Sequence, residues 1–280
     1  MATITSTWEL DGLVEEQRYY RSTSPIDTQN PPTPTAILEN TDRAYTDTVP
    51  ARTKQYIAIS SVKNGEERFS DIKLVGDPYW SNVIFYSRLN GSGLDRSTSN
   101  RTPSYGSSVT YSAGMFNQGL SCSGGAQHCI SYPSHSIGFD AGEDFTIECI
   151  VKNTIKPTEL WFSPLGSWSS NLGFCFFFTP TGMVFHMGTV SLGASISYSI
   201  NTNYYLMVEQ KSNVVTLYVN GNPIASVTHS AAITSKPLFI GGNGTTTDYW
   251  WGIVDEIRIT KGVARYNGAN TIPLKEFYDF

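Results

Sequence analysis

The chain has 280 residues, of which 40% are apolar and 15% charged, with a net charge of −5 and an isoelectric point near 5.4. That length suits two domains, the apolar fraction can fill their cores, and the low charge excludes an extended disordered chain. No cluster of Lys and Arg marks a nucleic-acid groove, and no run approaches the roughly 18 apolar residues of a membrane span, so neither nucleic acid nor membrane insertion is expected. Met1–Trp8 has no basic stretch followed by an apolar one, so a secretory signal is not expected either.

Sixteen Tyr, 14 Phe and 24 Gly point to strands and turns, and no window of ten residues keeps a helical period. In residues 1–76, strand-like pieces fall at Thr3–Leu10, Gln17–Ser22, Gln55–Val62 and Phe69–Val75, with a Pro-rich stretch at Asn30–Pro34. Both faces of Gln55–Val62 are fairly apolar, as in a central sandwich strand, and Asn64-Gly65 supplies a hairpin turn. Gly76-Asp77-Pro78 is a short junction. Beyond it, Phe145, Ile147, Cys149 and Val151 alternate with Thr146, Glu148, Ile150 and Lys152. A hairpin turns at Asn220-Gly221 between Asn213–Val219 and Ile224–Val227, and Pro237–Gly241 and Trp251–Thr260 add strands. Residues 77–280 therefore read as one large antiparallel sandwich.

Chemistry is sparse in this pattern. The four cysteines, Cys122, Cys129, Cys149 and Cys175, match no zinc or CxxC spacing and read as small buried hydrophobes. His128, His135, His186 and His229 have no ligand spacing. A glycosidase needs two facing carboxylates, whereas Glu143/Asp144 and Asp255/Glu256 are sequence neighbours that a regular strand points to opposite faces; Glu148 stands alone. No nucleophile elbow or phosphate loop is present, so no catalytic residue is assigned.

Two resemblances sharpen the reading. Trp8, Arg18–Ser22, Tyr45–Asp47, Tyr56–Ser60 and Glu66–Ser70 resemble a fibronectin type III domain over residues 1–76. Nothing ahead of Trp8 reads as a full first strand, so that sandwich starts one strand short, with an exposed edge fit to contact a neighbouring subunit. Residues 77–280 resemble a concanavalin A-like, laminin-G-like jelly roll through Phe85–Ser92, Asp144–Glu148, Thr216–Gly221, Leu238–Gly242 and Trp251–Tyr266. The closing Asp255–Tyr266 is similar to the version found in bacteriophage structural proteins.

The resemblances imply an all-β chain in which an immunoglobulin-like (fibronectin type III-like) sandwich precedes a concanavalin A-like jelly roll. They imply a non-enzymatic virion protein, a capsid decoration, fibre or tail component exposed on the particle. Residues 1–76 would attach to other virion proteins, residues 77–280 would meet host-cell glycans, and homo-oligomers are left open. The alternatives are a glycan-binding module of a secreted bacterial protein and a glycosidase or polysaccharide lyase. No cofactor is called for, except that relatives often hold a structural Ca²⁺, which would fall at Asn90 and Asp255.

Sugars stack on exposed rings, and two polar segments carry tryptophans that core packing does not explain. Trp168 lies in Gly166–Asn171, and Trp250 and Trp251 follow Asn243–Asp248. The resemblance places an aromatic at Trp250 and a small polar residue at Trp251, so Trp251 is the unexpected ring. Trp168 and Trp251 are the expected stacking residues, with Tyr249, Asp248 and Asn243 as polar neighbours.

Overall fold

In the computed structural model the described residues are 2–50, 54–158, 161–169, 172–245, 247–268 and 271–277. Apart from single 3₁₀ turns at Trp80–Asn82 and Ala126–His128 their regular structure is all β, and no helix among them is long and apolar enough to cross a membrane. They divide into two compact units, the first ending at Trp80 and the second spanning Ser81–Phe277.

The first unit contains β1 (Ala2–Thr7), β2 (Glu16–Ser22), β3 (Ala36–Leu38), β4 (Ala44–Val49), β5 (Gln55–Lys63), β6 (Glu66–Phe69) and β7 (Lys73–Val75). One sheet is the antiparallel pair β1-β4; the other has the order β3-β2-β5-β6, with β7 also on β5. Ile4, Tyr19, Leu38, Val49 and Ile57 are buried together, and the Trp8 ring closes over them with Nε1–H donating to Gln17 Oε1 at 2.7 Å. Gln17 is itself buried and passes its amide N–H groups to the carbonyls of Glu39 and Asp42, which satisfies a polar group that would otherwise be costly. Asn64 (φ +52°) and Gly65 (φ +78°) make the expected β5–β6 hairpin turn.

One expectation is overturned here. Residues ahead of Trp8 do form a strand: β1 pairs with β4 along its whole length, from Ala2↔Val49 to Thr7↔Ala44. Among the described side chains of β1 only Ile4 is buried, and β-branched Thr neighbours suffice for the rest, so the strand-like piece read over Thr3–Leu10 lies earlier, ends before Trp8 and is itself the first strand. The motive for an exposed-edge contact through residues 1–76 goes with it. Phe69–Val75, read as one strand, is broken into β6 and β7 on the same edge of β5.

The second unit contains β8 (Val83–Ser87), β9 (Ser104–Tyr105), β10 (Thr110–Ala113), β11 (Gln118–Ser123), β12 (Ile130–Phe139), β13 (Phe145–Asn153), β14 (Leu165–Ser169) and β15 (Leu172–Thr179). It continues through β16 (Gly182–Met187), β17 (Val190–Ala194), β18 (Asn203–Lys211), β19 (Val214–Val219), β20 (Asn222–Thr228), β21 (Ile233–Ile240) and β22 (Trp251–Lys261). An eight-stranded sheet has the order β10-β11-β22-β13-β18-β19-β20, with β8 also on β22, and faces a seven-stranded sheet β17-β16-β15-β14-β21-β12-β9. The jelly-roll expectation holds.

The alternation read in the sequence sets the core. Phe145, Ile147, Cys149 and Val151 of β13 meet Phe174, Phe176 and Phe178 of β15 between the sheets. Trp250 joins them, fully buried, with its ring 4.9 Å from Phe178. The four cysteines are buried free thiols, and burial pushes the Cys129 thiol up to about 12.

The opposite face of β13 is buried as well, under the chain that follows β22. Glu148 is fully buried there: Arg258 grips its carboxylate at 2.9 and 3.1 Å, and Tyr205 and Tyr266 donate hydroxyls at 2.5 and 2.7 Å. Burial alone would raise the Glu148 pKa, but Arg258 and Arg265 with these hydrogen bonds hold it below the ordinary carboxylate value. The Phe277 ring stacks 4.1 Å from the Arg258 guanidinium and closes the network.

Candidate functional site

The seven-stranded sheet turns its other side to solvent. Its register aligns one row across all seven strands, Ser104↔Ser131↔Phe239↔Gly166↔Cys175↔His186↔Ser191. Small and polar residues dominate that row, and Phe239 and His186 are its two rings. Alternation explains Phe239: Leu238 and Ile240 point into the core, which turns Phe239 outward.

The loop 241–249 folds back onto this face. Asn243 is buried and braces it: its Oδ1 accepts from Thr245 N–H at 2.9 Å, and its Nδ2 donates to Asp248 Oδ2 at 3.0 Å. Gly244 (φ +93°) lies against the Phe239 ring so closely that a Cβ would come within 2.7 Å of it.

Between this loop, β21 and β9 lies an open groove of about 360 Å³. Its rings are Tyr105, Phe239 and Tyr249, its hydroxyls are Ser104, Ser131 and Thr245, and Gly242 and Gly244 bring backbone close. Tyr105 is 46% exposed, and its hydroxyl accepts the Gly93 N–H at 3.1 Å. Burial raises the Tyr249 pKa, with Cys129 adding to it, so the phenol remains a neutral donor at physiological pH. None of the described lining residues is a carboxylate, so the groove offers no acid–base pair. Rings with adjacent hydroxyls and backbone groups suit a ligand with apolar C–H faces and many hydroxyls.

A second aromatic surface lies across the loop. The His186 imidazole meets Trp161 at 5.3 Å, Phe177 at 5.2 Å and Trp168 at 5.5 Å between ring centroids, all edge-to-face. Trp161 is 40% exposed. Burial lowers the His186 pKa, so the ring stays neutral near pH 7.

The structure separates the residues singled out in the sequence. Tyr249 lines the groove, while Asn243 and Asp248 hold the loop. Trp168 belongs to the second surface, and it sits on β14 opposite Gly173 rather than in a loop. The polar tract Gly166–Ser169 forms a strand because Ser167 is buried with its hydroxyl donating to the Lys236 carbonyl at 2.7 Å; Ser170, Asn171 and Thr246 lie outside the described residues. Trp251, half-buried on β22, packs on the core and over Gly124, where a Cβ would collide with its ring. Tyr105, Phe239, Trp161 and His186 were not picked out from sequence. Only the parity of Phe239 against Leu238 and Ile240 offered a signal.

The carboxyl neighbours Asp255 and Glu256 depart from the regular strand expected of them. Glu256 (φ +43°) is a bulge residue where β22 slips against β13, and both carboxyls then lie close enough to Glu276 for its charge to raise their pKa values. Burial is the larger cause and takes Asp255 to about 6 and Glu256 to about 8. Both are buried, and neither is among the described lining residues of the groove. Asp255 Oδ2 accepts the Met115 and Phe116 N–H groups, each at 2.9 Å.

Calcium does not fit the residues expected to hold it. Asn90 Oδ1 is taken by the Gln118 N–H at 3.0 Å, and its Nδ2 donates to Glu276 Oε1 at 2.6 Å. Arg88 lies 3.1 Å from Glu276 and neutralises it. Asp255 Oδ1 is the one buried oxygen in this set without a partner, against the six to eight oxygens calcium takes. Among the described residues, no three His, Cys, Asp or Glu are grouped to hold a metal ion.

The family model of the concanavalin A-like lectin/glucanases superfamily matches residues 123–265, just over half of the chain. The chain belongs to this superfamily. The matched span of the concanavalin A-like unit contains Phe239 and Tyr249 of the groove and the whole second aromatic surface. Among solved structures, the binding domain of Paraclostridial Mosquitocidal Protein 1 has a TM-score of 0.54 at 15% identity, covering 65% of this chain and 49% of that one. The receptor binding domain of botulinum neurotoxin D has a TM-score of 0.53 at 14% identity, covering 65% and 50%. The binding domain of botulinum neurotoxin serotype G has 0.52 at 15%, covering 66% and 48%. The chain thus spans about half the length of these structures, and at such identity they share its fold. No curated protein matches the sequence.

Proposed function

We propose that the concanavalin A-like unit is a non-enzymatic carbohydrate-binding module and that the Tyr105–Phe239–Tyr249 groove is its glycan site. The observation that carries this reading is the groove's make-up: rings from the sheet and the loop beside the hydroxyls of Ser104 and Ser131, with no carboxylate among its described lining residues. Membership of a lectin/glucanases superfamily supports a carbohydrate ligand, and the shared fold of the receptor binding domain of botulinum neurotoxin D supports a binding role at a receptor. Binding to an oligosaccharide panel, followed by titration of the full chain, tests this. Tyr249→Ala and Phe239→Ala should each weaken binding about tenfold or more while leaving the unfolding transition in place. Retained affinity in both variants would reject the site.

A second reading places this module on a bacteriophage particle. It rests on the similarity of Asp255–Tyr266 to phage structural proteins. In that reading residues 1–76 anchor the chain among other virion proteins and the groove faces the host surface. Immunogold electron microscopy of particles with an antibody to the chain tests it, and unlabelled particles reject it.

A further inference from the structure

We infer that the groove selects neutral oligosaccharides and rejects acidic ones, an inference that rests on the glycan-binding reading and names its ligand class. The groove's polar groups are hydroxyls, a neutral thiol and backbone. None of the described residues lining it carries a formal charge. An acidic sugar brings a carboxylate that loses water on entry. It needs an Arg or Lys, or several converging N–H groups, to compensate, and isolated hydroxyl donors return less than that desolvation takes.

The surroundings act in the same direction. Asp248 precedes Tyr249 in the loop. Its carboxylate accepts from Asn243 Nδ2 at 3.0 Å and from the Thr245 and Thr247 hydroxyls, each at 3.2 Å, none of which neutralises it. The chain's net charge of −5 adds a weak long-range repulsion toward anionic polymers. The Cys129 thiol, raised by burial to about 12, stays protonated and adds no charge of its own. A neutral sugar meets none of these costs. Its C–H face lies against Phe239 or Tyr249, and its hydroxyls exchange hydrogen bonds with Ser104 and Ser131. The volume of about 360 Å³ is near the lower end of small-molecule sites, roughly 300–1,000 Å³, which fits a short segment of one chain.

The test is calorimetric titration of the full chain with matched pairs that differ by one acidic sugar, such as lactose against sialyllactose and cellobiose against a glucuronate-containing disaccharide. The neutral member should bind about tenfold or more tightly, with an affinity unchanged between low and physiological salt. Ser104→Arg, a change at an exposed position of a short edge strand, should reverse the preference by supplying the missing cation. Tighter binding of the acidic members, or affinity that falls steeply with salt, overturns the inference and leaves the glycan-binding reading standing. Binding of neither class at millimolar sugar overturns both.

Discussion

Replacing Glu256 with Gln should shift the stability of the concanavalin A-like unit relative to wild type in the variant's favour as pH rises. The carboxyl is fully buried at the β22 bulge, with Oε2 accepting the Phe277 N–H at 3.1 Å and Oε1 lacking any partner. Burial, with smaller contributions from Asp255 and Glu276, takes its pKa from the ordinary 4.5 to about 8. The folded state therefore favours the protonated form. Stability from this group is fully present below about pH 4.5, falls as pH rises through 8, and is constant beyond. At pH 7 the unfolded chain has released this proton and the folded chain has kept it. Those roughly 2.5 pH units, at about 1.4 kcal/mol each, amount to about 3 kcal/mol. Gln keeps the carbonyl that Phe277 needs and cannot ionise. Its amide N–H facing the Oε1 position adds a pH-independent penalty of about 1–3 kcal/mol, so the pH dependence is the quantity to read. Asp255 titrates in both proteins and cancels in the difference. Urea unfolding from pH 4.5 to 8, followed by tryptophan fluorescence at constant m, should show the variant gaining about 3 kcal/mol on wild type by pH 7. A difference between the two proteins that stays flat over that range would refute the reasoning.

Glu148→Gln should destabilise by about 3–5 kcal/mol, because it strands the Arg258 guanidinium without a counter-charge under Phe277; a loss below about 1 kcal/mol in urea unfolding would show that water reaches this network. Residues 77–280 expressed alone should unfold in a single cooperative transition, and a molten fragment beside a stable full chain would place the boundary elsewhere. Trp251→Ala should lower the melting temperature while glycan affinity holds, because that ring packs on Gly124 and the core away from the groove. Weakened binding in a folded Trp251→Ala protein would contradict that placement.

The core was legible in the sequence wherever a strand has one apolar face. Phe145–Val151 alternates against the opposite sheet, and Asn220-Gly221 closes its hairpin with φ of +51° and +81°. What escaped has physical causes. Ser167 is polar and buried, satisfied by a carbonyl from another strand, so its segment read as a loop. The outer face of β13 is covered by chain without periodicity, so no pattern announced the Glu148–Arg258 network. A bulge at a non-glycine residue with positive φ altered the geometry of Asp255 and Glu256. In the groove, Tyr249 was visible as a ring beside a polar loop. Phe239 was hidden in an apolar strand, and Tyr105 sits on a strand of two residues. Their convergence depends on the register across β9, β12 and β21, which local sequence does not encode.

The central claim is the location of the sugar, and a crystal structure of the full chain soaked with the best-binding neutral oligosaccharide tests it most directly. A sugar ring stacked on Phe239 or Tyr249, with hydroxyls within hydrogen-bond reach of Ser104 or Ser131, is the predicted result. Sugar density on the Trp161–Trp168 surface, or elsewhere with the groove filled only by water, would contradict it.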